Sequence, residues 1–488
     1  MARVGLGIRR GVMTAALAGL ALSCATNPVT GKKQLAMISE SQEIAMGREA
    51  DKAVAASYGL YPDDRLQHYV QTLGTSIASR TERPSLPWTF RVVDDAAVNA
   101  FAIPGGFVYV TRGILTHLNS EAELAAILGH EIGHVTARHS VSQMSQQQLA
   151  QVGLVAGMIV SPKVAQFGGL AQTGLGLLFL KFSRADESEA DSLGFRYMLN
   201  DGYDPRKMVD VFRMLEGVSQ QAESQGRMPQ WLSSHPNPEN REAWAARSVA
   251  SLNRDPSGLA VNRPAYLRRV DGIVFGENPR EGFFQGNLFR HPEMAFRIQF
   301  PNGWKGSNEK QAVGAVSPNE DALVVLRLAA GSSARQAAQK FFSQEGIQAG
   351  SEWRREIGGL PSVSTTFEAQ SDTTTLRGLA AWVEYREQVF QILGYTSSQR
   401  WSSYQEAFAQ AIGSFARETD QNVLNVQPRR LNLVSVARPA TLDALNREYP
   451  STVSPQLVGL INNLQGNATL PAGERFKRVV GGPSWQPR

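Results

Sequence analysis

The sequence predicts an α+β fold in three units. They are a mainly helical domain with a small β-sheet over residues 39–265, a small α+β domain over 283–418, and a short unit over 428–482. Three observations carry this. Helix-start signals recur from Ser39 to about residue 250 and are broken once by an alternating, strand-like stretch. From 283 to 418 strand-like segments alternate with two helical ones. The chain has 488 residues, a length that suggests about three domains. Its 42% hydrophobic and 19% charged content fits a folded protein and argues against disorder.

The first 24 residues, "MARVGLGIRRGVMTAALAGLALSC", hold Arg3, Arg9 and Arg10, then a short apolar run to Ser23. This is the pattern of a secretory leader over 1–23, too short for a membrane span. Cys24 is the single cysteine, which excludes an intramolecular disulfide. "ALSC" resembles a bacterial lipoprotein box, implying that Cys24 is lipidated; plain leader cleavage is the competing reading. Because Ala25 is not aspartate, the sorting rule for such lipoproteins implies the outer membrane. Residues 24–38 read as an extended linker with turns at Asn27-Pro28 and Thr30-Gly31.

Ser39 with Gln42 opens the first helix as a capping box, and a second runs from about Asp63 to Ser79. "PWTFRVVDDAAVNAFAIPGGFVYV" alternates at Phe90, Val92, Val108 and Val110, predicting strands joined through Pro104-Gly105-Gly106. Ser120 with Glu123 starts the next helix. Residues 149–180 are apolar but broken by Ser161-Pro162-Lys163 and glycines, which fits a lid, a membrane or substrate contact, or plain core. "SRADESEADSLGFRYMLNDGYDP" is a further helix stopped by Gly202 and Pro205, and a Pro-rich loop, "SSHPNPENR", feeds the last helix of this domain.

The chemistry is concentrated in "ILGHEIGHVTARHS". Residues four apart share one helical face, so His130 and His134 can direct ring nitrogens at one ion. Glu131 is rotated by about 100° from His130, close enough to reach a water on the metal without ligating it. This is the rationale of the His-Glu-x-x-His spacing in zinc proteases. Gly129 and Gly133 each cost a helix about 1 kcal/mol relative to alanine, so a neighbour must approach this helix closely. Zinc needs a third ligand, and "SRADESEAD" offers one on either of two faces, Glu187/Asp191 or Asp186/Glu189; spacing does not choose between them. His68, His117 and His291 read as surface or packing residues. His139, five after His134, reads as a helix-end residue at the wrong angle for ligation.

His130-Glu131-Ile132-Gly133-His134, "NAFAIPGG", "SRADESEAD" and "SSHPNPENR", in this order, resemble the M48 (Ste24/HtpX-type) metallopeptidases, in their BepA/Oma1-like periplasmic lipoprotein branch. "CATNPVTGKKQLAMIS" is similar to the lipoprotein start of that branch. The resemblance implies a zincin-type domain over 39–265 holding one Zn2+ per chain, with Glu187 as third ligand and Asp191 behind the ligands. It also implies His235 above the metal, either stabilising the transition state or closing the site as a fourth ligand, with Arg241 supporting it. Replacement of His235 is expected to lower turnover. Asn99, Ala100, Phe101 and Ala102 would form an edge strand that binds extended substrate through its backbone; a simple hairpin fits the same residues.

Residues 283–418 are similar to MOG1/PsbP-like modules, and 428–482 to a LysM-like unit. From Gln421 onward there are eight Arg or Lys and three Asp or Glu, an excess equal to the whole-chain +5; this suits an anionic surface. The expected function is zinc metalloendopeptidase action on misfolded or unassembled envelope proteins, with Glu131 as general base. The expected partners are protein substrates, a membrane reached through the lipid anchor, and peptidoglycan or outer-membrane assembly machinery. No nucleic acid is expected. The alternatives are a chaperone-like assembly factor with a latent site and a cell-wall hydrolase.

Overall fold

The computed structural model describes residues 24–146, 181–224, 231–232, 235, 240–253, 255–370 and 375–483. Residues 1–23 (read as a leader), the apolar 149–180 stretch and most of the SSHP loop lie outside these residues. Among the described residues no helix is long and apolar enough to cross a membrane.

The architecture is α+β. A short antiparallel pair, β1 (Cys24–Thr26) and β2 (Lys33–Leu35), precedes α1 (Glu40–Tyr58). Ser39 and Gln42 form the expected reciprocal cap of α1, and Asp63 caps α2 (Asp64–Ala78). The small sheet has three strands, β3 (Thr89–Val93), β4 (Ala100–Ile103) and β5 (Phe107–Thr111), in the order β3-β5-β4. β3 runs parallel to β5, and β4 returns antiparallel at the edge. Gly105 makes the β4–β5 turn with φ +87°, and a Cβ there would lie 2.8 Å from Ile44 Cα. Both the backbone sign and the close approach require glycine.

Helices α3 (Arg112–His117), α4 (Glu121–Thr136), α5 (Arg184–Asn200), α6 (Arg206–Ser224), α7 (Arg241–Ala250) and α8 (Arg263–Val270) complete the domain. All of α4 beyond Glu121 is buried, so its glycines matter. A Cβ on Gly129 would stand 3.0 Å from Gly194 O, one on Gly194 would stand 2.8 Å from His130 N, and one on Gly133 would stand 3.1 Å from Ala190 O. The neighbour that the glycines demanded is therefore α5, crossing at small-residue contacts.

Beyond residue 283 the chain forms a four-stranded and a seven-stranded sheet with helices Ala334–Phe342 and Trp401–Gly413. Two of its longest strands, Ile347–Ile357 and Leu360–Gln370, are additional to the segments read from alternation. The last unit has β-α-α-β order: Arg429–Ser435 pairs antiparallel with Arg475–Gly481, with helices Leu442–Glu448 and Pro455–Ile461 between them. It is not packed as a separate bead, because Leu431, Ile461 and Val479 join the same core as Val110, Leu124 and Ile132. Lys477, fully buried, donates from Nζ to Thr116 O at 3.0 Å and Leu118 O at 2.9 Å, at the C-terminal end of α3 where the last carbonyls have no partner within the helix.

Candidate metal centre

Four side chains from three segments converge. His130 and His134 come from α4, Glu187 from the first turn of α5, and His235 from the loop before α7. Their donor atoms lie within 4.8 Å of one another and all four residues are buried. His134 Nε2 is 3.1 Å from His130 Nε2 and 3.4 Å from Glu187 Oε1, and His130 Nε2 is 3.5 Å from Glu187 Oε2. His235 Nδ1 is 3.0 Å from Glu187 Oε1 and 3.4 Å from His130 Nε2.

Glu187 reaches this point because Ser183 caps α5 in a reciprocal box with Asp186. The cap commits Asp186, and the close approach of Gly194 to Gly129 and His130 turns the 187/191 face toward α4. Behind the cluster, Asp191 Oδ1 lies 2.9 Å from His130 Nδ1, and Arg241 Nε holds Asp191 Oδ2 at 2.8 Å. Arg241 in turn lies over the Phe212 ring at 4.4 Å. Carboxylate, histidine and donor set thus form one line, the usual way a ligand imidazole is oriented from behind.

Buried polar atoms normally find partners, yet both Glu131 oxygens, Glu187 Oε2 and His235 Nε2 have no hydrogen-bond partner among the described residues. Two imidazoles and a carboxylate are a donor set suited to zinc, with His235 as a possible fourth; the orphaned atoms and the short mutual distances fit such an ion. The protonation preferences of the cluster follow from burial and from these contacts. Burial opposes charge on Glu187, but His235, His130 and His134 hold it far below the usual carboxylate range. Burial also opposes charge on His130, but Asp191 and Glu187 outweigh it and raise the imidazole to about 9. Burial lowers His134 well below its ordinary value, with Glu187 opposing. Glu131 is raised by burial, with His235 and His130 opposing. Its Oε1 sits 3.6 Å from His235 Nε2.

All the residues singled out at the metal, His130, Glu131, His134, Glu187, Asp191, His235 and Arg241, are therefore together. Asn99 through Ala102 are not in the cluster; Ala100–Ile103 is the edge strand, paired on one side with β5. Cys24 begins the first short strand.

Two features escaped sequence reasoning. Trp231 stacks on His235 with ring centroids 4.3 Å apart and planes 21° from parallel; the signal was its position four before His235, whose N–H donates to Trp231 O. His139, read as a helix-end residue, is instead buried 3.0 Å from His134 Nδ1.

The sequence profile of peptidase family M48 matches residues 64–247. Among curated proteins, the chain is similar to the beta-barrel assembly-enhancing protease of Yersinia pestis, 31% identical over 254 residues, covering 50% of this chain and 52% of that one. It is also similar to the mitochondrial metalloendopeptidase OMA1 of Schizosaccharomyces pombe, 30% identical over 244 residues, covering 47% of this chain and 68% of that one. The chain spans about half the length of the first of these relatives. Among solved structures, cyanobacterial PsbP of Synechocystis matches 28% of this chain and 94% of its own at 17% identity and a TM-score of 0.24, a likeness on which no conclusion rests.

Proposed function

This chain belongs to peptidase family M48, and from that premise we propose that it is a zinc-dependent metalloendopeptidase. The observation that carries the proposal is the buried set His130, His134, Glu187 and His235, with the carboxylate of Glu131 beside it unpartnered among the described residues. His130, His134 and Glu187 would hold the ion. Bound zinc supplies a Lewis acid that acidifies water and polarises a carbonyl. Glu131, next to the donors and without a hydrogen-bond partner among the described residues, takes the proton from the attacking water and delivers it to the leaving amine. Asp191 and Arg241 keep His130 in the orientation that presents Nε2. Residues 99–102 bind extended substrate along the open side of β4, through backbone hydrogen bonds that read little of its sequence.

The name of the Yersinia relative and the leader-like start of this chain support a finer reading. We infer that the substrates are misfolded or unassembled envelope proteins, and that lipidated Cys24 anchors the chain on the periplasmic side of the outer membrane. The basic β-α-α-β unit supports LysM-like contact with peptidoglycan or with assembly machinery. A second reading, a chaperone-like assembly factor with a latent site, is favoured by one observation: His235 lies inside the donor set, where an attacking water would have to stand.

The test is cleavage of denatured casein by the full chain, zinc-loaded or stripped with a chelator. Zinc-dependent cleavage by the wild type or by His235→Ala, absent in Glu131→Gln, is expected. No cleavage by either zinc-loaded form would overturn the peptidase reading and leave the chaperone one.

A further inference from the structure

The two histidines of α4 are supported differently from behind. His130 Nδ1 meets a carboxylate, Asp191. His134 Nδ1 meets another imidazole, His139 Nδ1, at 3.0 Å. On the far side of that ring, His139 Nε2 lies 3.5 Å from Glu189 Oε2 and 3.8 Å from Asp186 Oδ1. Asp186 already serves the cap of α5 through its other oxygen, so Glu189 is the better acceptor.

A five-residue offset cannot bring two side chains together on one continuous helix. Here the helix does not continue. α4 ends at Thr136, and Arg138 adopts φ +58°, a left-handed conformation that is costly for a non-glycine residue and must be held in place. The hold is visible: Arg138 Nε pairs with Glu43 Oε2 at 3.0 Å, and its terminal nitrogen donates to Ile38 O at 2.7 Å. The reversal swings His139 back against His134, and a new helical run begins at 139.

We propose that His139, backed by Glu189, is the positioning residue for His134. The proton bookkeeping admits one arrangement for a neutral pair. A ligating Nε2 on His134 carries no proton, so His134 Nδ1–H donates and His139 Nδ1 accepts. The His139 proton is then on Nε2, aimed at Glu189. The pair fixes both the tautomer and the ring angle of His134, as Asp191 does for His130. The spacing that made His139 look irrelevant is what places it behind the ligand instead of in the donor set.

This inference rests on the metal site proposed above, and zinc affinity separates the two. Chelator competition on the full chain, together with the visible spectrum of the Co2+-substituted protein, would be compared for wild type, His139→Leu, His139→Asn and Glu189→Ala. Thermal midpoints of the metal-free forms are measured in parallel. His139→Leu, which fills space but accepts nothing, should weaken zinc binding about 10- to 100-fold and shift the Co2+ bands. His139→Asn, whose Oδ1 can stand near the lost Nδ1, should recover most of both. Glu189→Ala, a change at a partly exposed side chain, should give a smaller loss and carries the test if His139→Leu does not fold. Wild-type affinity in His139→Leu and Glu189→Ala would overturn the inference. So would equal losses in the Leu and Asn variants that follow the metal-free midpoints. A wild type that binds no zinc would overturn the metal site itself, and this inference with it.

Discussion

His130 Nδ1 and Asp191 Oδ1 are 2.9 Å apart and both buried, with Arg241 closing the far side of the carboxylate. The contact turns His130 Nε2 toward Glu187 and His134. Asp191→Asn keeps the shape but weakens the acceptor, so zinc affinity should fall about 10- to 100-fold. Glu187→Ala removes a donor atom and should release the metal far more readily than Glu189→Ala. Chelator competition checks both; equal zinc retention in the two alanine variants would remove Glu187 from the donor set.

Glu131 makes no hydrogen bond that its loss would break among the described residues. Glu131→Gln should therefore fold and retain about one equivalent of zinc while losing peptide hydrolysis, because only a proton acceptor is gone. Metal analysis and casein cleavage on the same sample decide the point. Loss of zinc would make Glu131 a ligand.

The sequence leaves two roles for His235, stabilising the transition state or closing the site as a fourth ligand, with lower turnover expected on its removal. The geometry favours the closing role: its Nδ1 lies 3.0 Å from Glu187 Oε1, within the donor set, and stacking on Trp231 holds it there. An imidazole in that place competes with the water that Glu131 must activate. His235→Ala should retain zinc and cleave denatured substrate faster than wild type. A loss of about 10²- to 10³-fold at matched zinc occupancy would instead assign it to the oxyanion.

His117 is buried beneath the last unit, and burial, with Gly113 O opposing and Lys477 adding, holds its imidazole down to about 4 from 6.5. Between these values the unfolded chain binds a proton that the folded chain does not. The stability of the neutral form is thus complete above pH 6.5 and declines as pH falls toward 4, by up to about 3 kcal/mol. Urea midpoints at about pH 7 and about pH 5 should differ less in His117→Gln than in wild type. His291, held at about 4 by burial, keeps some slope in both. An unchanged difference would mean that His117 takes up its proton in the folded state.

Lys477→Met should destabilise the protein by about 1–3 kcal/mol, because the carbonyls of Thr116 and Leu118 lose a buried donor. Thermal unfolding of the metal-free chain reads this directly. An unaltered midpoint would show that water can replace the lysine amine there.

What was legible in the sequence is what local geometry decides. Residues four apart on a helix share a face whatever surrounds them, so His130, Glu131 and His134 could be assigned together. Ser39 and Ser120 cap the helices that they precede, because a cap involves only the next three residues. Gly129 and Gly133 announced a close neighbour but could not say which. Only the tertiary structure chose the Glu187/Asp191 face over Asp186/Glu189, because the rotation of α5 is set by the approach of Gly194 to Gly129 and His130. Only the reversal at Arg138, held by Glu43 from the first helix, carried His139 behind His134. Lys477 finds its carbonyls about 360 residues away. Such placements depend on how every buried surface packs at once, and no periodicity within a short window encodes that.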